Sequence, residues 1–223
     1  MNKLNLIFFG SPYYSIPILE KLISLGHNVS LVISQGSKKL KRGKIIQTAV
    51  TEFCKIQNIR CITPECFDKN SIEEIRSCNA DMGIIYAYGK IVPIDVIKLI
   101  KLGIMNLHCS LLPLYRGAAP IQHALINDDS KTGITFFQIN EKLDDGKIIL
   151  TESYKIKESD NCMRIQDSLT KLAVDKCELA ISNMTNKVFS NSLSNKKISY
   201  AAKIKKEDSK VTWDMDVRRI FNT

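Results

Sequence analysis

The sequence lacks long apolar runs. Its first apolar stretch, Leu6 to Phe9, ends at Gly10 and is far shorter than the roughly 20 residues that a membrane-spanning helix needs. The stretch is also too short for the hydrophobic region of a secretory signal peptide. We therefore expect a cytoplasmic protein that has no membrane partner.

Patterns that bind metals are scarce as well. The chain has seven cysteines and three histidines, and no two cysteines are spaced as CxxC. Structural zinc sites draw on closely spaced pairs of cysteine and histidine. We expect no metal site, and we interpret the cysteines as reduced thiols that mostly pack in the interior.

Motifs that bind nucleotide phosphates are missing too. The first turn from a predicted strand to a predicted helix, FFGSPYYS, holds a single glycine, so it does not match GxGxxG. The chain also has no GxxxxGK[ST] motif. These absences argue against dinucleotide binding and against phosphate binding of the P-loop type.

The positive charge is a weaker indication. The formal net charge is +9, which is compatible with a polyanionic partner such as RNA. The chain is also rich in Lys, Ile and Asn, a composition that an A+T-rich genome produces whatever the function. Charge alone therefore adds little to the case for a nucleic-acid partner.

What the sequence does contain is an alternation of strand-like and helix-like segments. A length of 223 residues suits one substantial domain. The alternation predicts an α/β fold with a Rossmann-like, doubly wound and mostly parallel sheet. The predicted strands cover residues 4–9, 28–33, 60–63, 81–87, 104–108, 133–139 and 147–154. The predicted helices cover residues 44–57, 94–101, 119–126 and 162–184, and one more has Ile16, Leu19, Leu22 and Ile23 on one face, with Gly26 just past its end.

Two polar residues stand at the end of a predicted strand. Asn106 and His108 are two positions apart, so their side chains project from the same face. Ligands of open α/β sheets bind beyond the carboxyl ends of the strands, where an amide and an imidazole can stabilise an oxyanion. Asp144, in the turn LDDG, is the best candidate for a supporting carboxylate. The alternative is that Asn106 and His108 only satisfy local backbone groups.

The residues around this pair carry a resemblance to a family. NLHCSLLP, YRGAAPIQHALINDDSKTGIT and KLDDGKII resemble motifs of the folate-dependent formyltransferases, above all of the branch that acts on methionyl-tRNA. FFGSP and AYGKIVP upstream, and YAAKIKKEDSKVTW downstream, are similar to further motifs of that branch. The motifs occur in the family's order and extend over nearly the whole chain.

The resemblance implies a reaction and a set of site residues. The donor would be 10-formyl-tetrahydrofolate, a reduced folate, and the acceptor the α-amine of methionine esterified to initiator tRNA. Asn106, His108 and Asp144 would be catalytic, with no metal. The folate would contact the SLLP stretch and backbone around the AYG segment. These candidate folate-binding residues are Ser110, Leu111, Leu112 and Pro113, together with Tyr88, Gly89, Lys90, Ile91 and Val92.

For the tRNA, the resemblance indicates the basic loop SQGSKKLKRGK. The candidate residues are Lys39, Lys41, Arg42, Lys44 and, outside the loop, Arg116. The loop lacks the PDRP portion found in the family. The alternative is a solvated lysine-rich loop. His27, His123 and Cys109 we interpret as packing residues, with the Cys109 side chain opposite to that of His108.

We expect a catalytic domain over residues 1–189 and a basic linker or surface tail over residues 190–223. Family members continue past a segment resembling VRRIFN into a barrel domain, which we expect to be absent here, and we expect a monomer. Three rival functions stay open: a sugar-nucleotide N-formyltransferase, a glycinamide ribonucleotide formyltransferase, and a non-catalytic RNA-binding remnant.

Overall fold

The computed structural model describes residues 3–39, 45–190, 197–215 and 217–222. Eleven strands and seven α-helices lie in this part of the chain. The strands are β1 (Asn5–Gly10), β2 (Asn28–Ile33), β3 (Lys38–Lys39), β4 (Ile45–Ile46), β5 (Cys61–Ile62), β6 (Met82–Tyr86), β7 (Ile104–His108), β8 (Arg116–Gly117), β9 (Lys131–Gln138), β10 (Lys147–Lys155) and β11 (Tyr200–Ala201). The helices are α1 (Ile16–Ser24), α2 (Ala49–Ile56), α3 (Lys69–Ser77), α4 (Ile94–Lys98), α5 (Pro120–Ile126), α6 (Cys162–Thr185) and α7 (Val217–Asn222). Short 3-10 turns occupy Tyr13–Ser15 and Lys206–Ser209.

The main sheet has seven strands in the order β10-β9-β7-β6-β1-β2-β5. Five strands, β7, β6, β1, β2 and β5, run parallel to one another. At the other edge, β9 runs antiparallel to β7, and β10 runs antiparallel to β9. From β1 the chain builds outward through β2 to β5 and then returns to the other side of β1 with β6. The strand order therefore reverses between β1 and β6, the place where open α/β sheets bind ligands. The predicted fold class is confirmed.

Each face of the sheet has its own hydrophobic core. One core contains Met105, Leu107 and Cys109 of the β7 region, together with the buried faces of α1 and α6. The other contains Ile104 of β7 and residues of α3 and α4, among them Ile75 and Val96. Because successive strand residues point to opposite faces, β7 contributes alternately to both cores. This alternation decides the side on which the polar residues of β7 lie.

Several element predictions differ from the structure. Helix α2 begins at Ala49, not at Lys44, because the Thr48 side chain caps it by accepting a hydrogen bond from the Thr51 N–H. Helix α3, capped by Asp68, was not predicted. In α1, Ile23 is 42% exposed and Ile18 is fully buried, so the predicted apolar face of that helix was wrong at this position.

The segment after residue 197 returns to the domain. Strand β11 pairs in parallel with β8, and Ala201 is fully buried. Further on, α7 contacts α5, and Arg218 forms an ion pair of 2.7 Å with Asp128. The interpretation as a surface tail is therefore wrong for β11, whereas the boundary at residue 189 stays a prediction.

None of the helices in the described segments is long and apolar enough to cross a bilayer. The longest of them, α6, has 24 residues but carries charged side chains along its length, for example Arg164, Lys171 and Glu178.

Candidate active site

Strand β7 presents Asn106 and His108 on the sheet face that α3 and α4 cover, the face to which Ile104 also points. The strand lies between β6 and β9, where Asn106 is flanked by Ile85 and Phe137. His108 is buried and Asn106 is half-buried. Within the described part of the chain the Asn106 side chain has no hydrogen-bond partner, which leaves its amide available to a ligand.

The ring of His108 is held at one nitrogen and faces a carboxylate at the other. Its Nε2 lies 2.8 Å from the backbone oxygen of Tyr115. A carbonyl oxygen can only accept, so we assign the proton to Nε2. Nδ1 faces Asp144 Oδ2 at 3.8 Å, a distance beyond a hydrogen bond but suited to an ion pair when the ring is charged. The predicted imidazole and carboxylate therefore lie side by side.

Asp144 is buried in a turn whose backbone is strained. Its φ of 46° lies in the left-handed region, which a non-glycine residue occupies only when its surroundings hold it there. Its Oδ2 accepts a 2.8 Å hydrogen bond from the Gly117 N–H. The turn needs the glycine at position 146, because an added Cβ would overlap the carbonyl oxygen of Gln138. These constraints direct the carboxylate towards His108.

Arg116, one of the candidate tRNA residues, lies in the interior. It is buried, and its Nη2 lies 2.6 Å from Asp145 Oδ1, next to the Asp144 turn. Its Nε has no hydrogen-bond partner among the described residues. Its assignment to tRNA stays a prediction. Lys41, Arg42 and Lys44 lie outside the described residues, as does the side chain of Lys39. Their assignment stays a prediction.

The SLLP loop after β7 is braced from within. Thr135, which lies opposite His108 on β9, donates a 2.7 Å hydrogen bond to Ser110 O and accepts a 3.1 Å bond from Leu112 N–H. The Ser110 hydroxyl donates to Leu114 O. Ser110, Leu112 and Pro113 are buried, whereas Leu111 is half-buried. The folate role of this loop stays a prediction, and the Ser110 hydroxyl is already committed to the loop itself.

The segment from Tyr88 to Val92, after β6, is arranged differently. The Tyr88 carbonyl accepts from the Ser11 hydroxyl and the Gln35 amide, and Lys90 Nζ donates to the carbonyl oxygens of Pro64 and Glu65. Tyr88 and Val92 are buried, whereas Gly89 and Lys90 are exposed and Ile91 is 86% exposed.

The backbone of that segment is free to bind a ligand. Among the residues the structure describes, the N–H and C=O groups from Gly89 to Val92 make no backbone hydrogen bond. Tyr86 of β6 pairs with Leu107 of β7, so the segment leaves the sheet at the same end as His108. A row of free donors and acceptors at this end fits a flat heterocycle with amide-like edges.

The opposite face of β7 is a packed interior. Cys109 points into it beside Tyr86, whose hydroxyl bonds to Thr170 and accepts from Gln166. Burial raises the pKa of the Cys109 thiol to about 11. The prediction that this side chain is a packing residue, opposite to His108, is confirmed. His27 and His123 make single ring contacts with backbone atoms of Leu4 and Ala202.

Three contributors to the site were not predicted. Tyr115 and Gly117 act through their backbone, so their side chains gave no indication. Thr135 did leave one: it is a polar residue inside the apolar strand KTGITFFQ. Most buried hydroxyls in proteins are hydrogen-bonded, and the partners of the Thr135 hydroxyl are in the SLLP loop.

In the segments that the structure describes, no three His, Cys, Asp or Glu side chains come together as a group that could hold a metal ion. Fold and site together define an α/β enzyme with an amide and an imidazole on the last three residues of one strand and a carboxylate beside the imidazole, and its sequence has no nucleotide-phosphate motif.

A comparison with protein families makes this class specific. The profile of the family described as formyl transferase matches residues 3–180. The chain belongs to the formyl transferase family.

Individual proteins agree with this assignment. A methionyl-tRNA formyltransferase from Thermodesulfovibrio yellowstonii is 38% identical over 222 residues, which cover 97% of this chain and 71% of that protein. Among solved structures, a sugar N-formyltransferase from a Shewanella species has a TM-score of 0.73 at 15% identity, covering 98% of this chain and 86% of its own. A sugar 3N-formyltransferase in the presence of dTDP and 5-N-formyl-THF has a TM-score of 0.72 at 17% identity, covering 100% of this chain and 78% of its own.

Proposed function

We propose that this chain transfers the formyl group of 10-formyl-tetrahydrofolate to the α-amine of methionyl initiator tRNA. The methionyl-tRNA formyltransferase from Thermodesulfovibrio yellowstonii, 38% identical over 222 residues that cover 97% of the chain, favours this acceptor over the alternatives. The observation that carries the proposal is the pairing of His108 with Asp144 at the end of β7, on the face that also holds Asn106. A cytoplasmic location follows from this acceptor.

The reaction is acyl transfer through a tetrahedral intermediate. The lone pair of the neutral amine attacks the formyl carbon, and the carbonyl oxygen becomes an oxyanion. A free α-amine titrates at about 8, so the attacking form is available near neutral pH. The amine nitrogen then loses a proton, the bond from carbon to the folate nitrogen breaks, and that nitrogen takes the electron pair and a proton.

Each member of the trio has a role in these steps. The Asn106 amide and a protonated Nδ1 of His108 donate hydrogen bonds to the oxyanion, while Asp144 balances the charge of the ring. Nδ1 is the available nitrogen because Nε2 is occupied by the Tyr115 carbonyl. Asp144 also helps to relay the proton of the attacking amine. One oxyanion donor contributes about 3 kcal/mol to transition-state stabilisation.

The donor would bind where the free backbone of residues 89–92 meets the end of β7. Unpaired N–H and C=O groups complement the edge of a pterin ring, and the exposed Ile91 offers an apolar contact. The solved relative that was crystallised with 5-N-formyl-THF supports a reduced folate as the donor. This chain's own residues would bind and orient the donor, so that its formyl carbon lies against the trio.

For the tRNA we propose the basic loop with Lys39, Lys41, Arg42 and Lys44, from the sequence alone. Lysine and arginine contacts to phosphates give affinity that falls steeply with salt concentration. Arg42→Ala should therefore raise the KM for tRNA and flatten its dependence on salt, with the KM for the folate unchanged. An unchanged tRNA KM at all salt concentrations would remove the loop from the proposal.

An acceptor assay tests the function. The purified chain is given labelled formyl-folate and, in turn, initiator methionyl-tRNA, elongator methionyl-tRNA or an amino-sugar nucleotide. We expect label to transfer to the initiator methionyl-tRNA. Transfer to the amino-sugar nucleotide alone would favour the alternative of a sugar N-formyltransferase. A solved enzyme of that kind shares this fold. Binding of RNA without any transfer would favour a non-catalytic role.

A further inference from the structure

We infer that Ser199, together with strand β11, is a positioning element for the catalytic histidine, acting through the two peptide groups on either side of Tyr115: its hydroxyl holds the Tyr115 N–H and its backbone oxygen holds the Arg116 N–H. The inference rests on the proposed function, in which His108 supplies the reacting ring nitrogen. It assigns a role in the reaction to a segment far along the chain from the three catalytic residues.

Ser199 holds the loop of β8 by three hydrogen bonds. Its carbonyl oxygen accepts from the Arg116 N–H at 2.9 Å, and its hydroxyl oxygen accepts from the Tyr115 N–H at 2.9 Å. Its own N–H donates to the Pro113 carbonyl at 3.3 Å. Ser199 thus accepts hydrogen bonds from both the Tyr115 N–H and the Arg116 N–H, the amide groups on either side of the Tyr115 Cα.

The same peptide unit holds His108 from its other side. The Tyr115 C=O and the Arg116 N–H belong to one peptide group. His108 Nε2 donates to its carbonyl oxygen, and its N–H donates to Ser199 O. Hydrogen bonds at both ends of one amide polarise each other and strengthen together. The carbonyl that fixes the proton on Nε2 therefore depends on Ser199.

The backbone at this position needs such support. Tyr115 has a φ of 58°, in the left-handed region that is sterically unfavourable for a non-glycine residue. The next peptide unit carries the Gly117 N–H to Asp144, so this loop also orients the carboxylate. If the contact with Ser199 is lost, we expect the Tyr115 carbonyl to turn and the imidazole to populate its other tautomer.

The close approach of β11 requires a glycine opposite it. Gly117 has a φ of 118°, and an added Cβ would lie 2.7 Å from the carbonyl oxygen of Ala201. Ala201 O also accepts hydrogen bonds from the N–H groups of Ala118 and Ala119, and Ala201 itself is fully buried. The two strands are therefore fitted to each other at the level of the backbone.

The test compares Ser199→Ala with Ser199→Thr in the full chain. Alanine removes the hydroxyl that accepts from Tyr115 N–H, whereas threonine keeps it at a half-buried position. Ser77→Ala is the matched control, because the Ser77 hydroxyl also bonds to a backbone group, the Glu74 carbonyl, but on an exposed part of α3. We measure kcat, the KM for the formyl-folate donor, the melting temperature and the nitrogen chemical shifts of the His108 ring.

For Ser199→Ala we expect kcat to fall roughly three- to tenfold, the effect of one neutral hydrogen bond. The donor KM should stay within about twofold, since residues 89–92 are untouched, and the ring shifts at alkaline pH should move from the Nε2–H tautomer towards a mixture. Ser199→Thr should restore both values, and Ser77→Ala should leave both at wild-type values.

Unchanged kcat and ring shifts in Ser199→Ala would overturn the inference. So would a lower kcat that Ser199→Thr does not restore, or one with wild-type ring shifts, since either outcome indicates a general loss of structure. If Ser199→Ala fails to fold, Ser199→Cys carries the same comparison, because a thiol is a weak acceptor of similar size. The ring shifts need no substrate, so failure of the proposed function, seen as a wild-type chain that formylates no acceptor, is recognised separately.

Discussion

The loop after β7 and the segment after β6 leave the sheet side by side but are held in opposite ways. In the loop of residues 110–117, hydroxyl and backbone groups bond to one another, to β9 and to β11. In residues 89–92, a side chain such as Lys90 is tied down, whereas the described structure gives the backbone no hydrogen bonds. We propose that the first region fixes the side chains of the trio, and that the second offers its backbone groups to the donor.

This difference predicts separable kinetic effects. Changes in the braced loop and at the trio should lower kcat, because they act on groups that work in the transition state. Changes in the free segment should raise the KM for the donor, because they act on its binding. A variant that mixes the two effects would weaken the contrast between the regions.

The largest effect is expected for His108→Ala. Loss of the ring that stabilises the oxyanion should lower kcat by about 10²–10⁴-fold. Cys109→Ala is the control, since the adjacent side chain points into the opposite core and should leave kcat at its wild-type value. Similar rates for His108→Ala and the wild-type chain would remove His108 from the mechanism.

The next effect tests the bracing of the SLLP loop. Thr135→Val leaves the Ser110 carbonyl and the Leu112 N–H without their buried partner, so the free energy of unfolding should fall by about 2 kcal/mol and kcat should fall with it. Thr132→Val, on the same strand, is the control. Thr132 is buried and its hydroxyl has no hydrogen-bond partner among the described residues, so valine should keep or increase stability. Chemical denaturation distinguishes the two, and equal losses would contradict the bracing.

A smaller effect, on binding alone, is expected at Gly89. Its φ of 78° is unfavourable for alanine, and an added Cβ would overlap Nε2 of Gln35. Gly89→Ala should raise the donor KM about tenfold and leave kcat within a few fold. In Gly36→Ala, where the nearest atom to an added Cβ is Thr63 O at 3.9 Å, the donor KM should not change. A drop in kcat at constant KM would contradict the role given to this segment.

The smallest effect, one without consequence for turnover, concerns the far side of β7. Burial raises the pKa of the Cys109 thiol to about 11, so its reactive thiolate is scarce at pH 8 and increases only as the pH approaches that value. Iodoacetamide should therefore label the exposed Cys66 of the native chain well before Cys109. In denaturant the two rates should converge. Equal labelling of the native chain would place Cys109 on an accessible surface.

Much of the fold could be predicted because its strands are short apolar runs bounded by turn residues. The bounds of β2 and β7 match their predictions. Helix α3 was missed because KNSIEEIRS offers only Ile72 and Ile75 as apolar positions, too few to show a helical period. Helix α2 was started too early because Ile46 continues the helical spacing of Ala49, Val50 and Phe53, although the hydroxyl of Thr48 sets the true start.

In the site, the parts that depend on side chains could be predicted, and the parts that depend on the backbone could not. Asn106, His108 and Asp144 carry recognisable chemistry, and the pairing of His108 with Asp144 follows the prediction. The support from Tyr115, Gly117 and Ser199 passes through peptide groups, which every residue possesses, so no sequence pattern marks it. The contact that holds Arg116 in the interior, with Asp145, joins residues far apart in the sequence and so could not be predicted either.

The most direct test of the account is the turnover of Asp144→Asn at saturating donor and initiator methionyl-tRNA. Asparagine has the same shape and keeps an oxygen to accept from the Gly117 N–H, so the substitution removes the charge beside His108 and little else. The account predicts that turnover falls by at least about a hundredfold with an unchanged melting temperature. A folded variant with near-wild-type turnover would show that the carboxylate opposite His108 takes no part in the transfer.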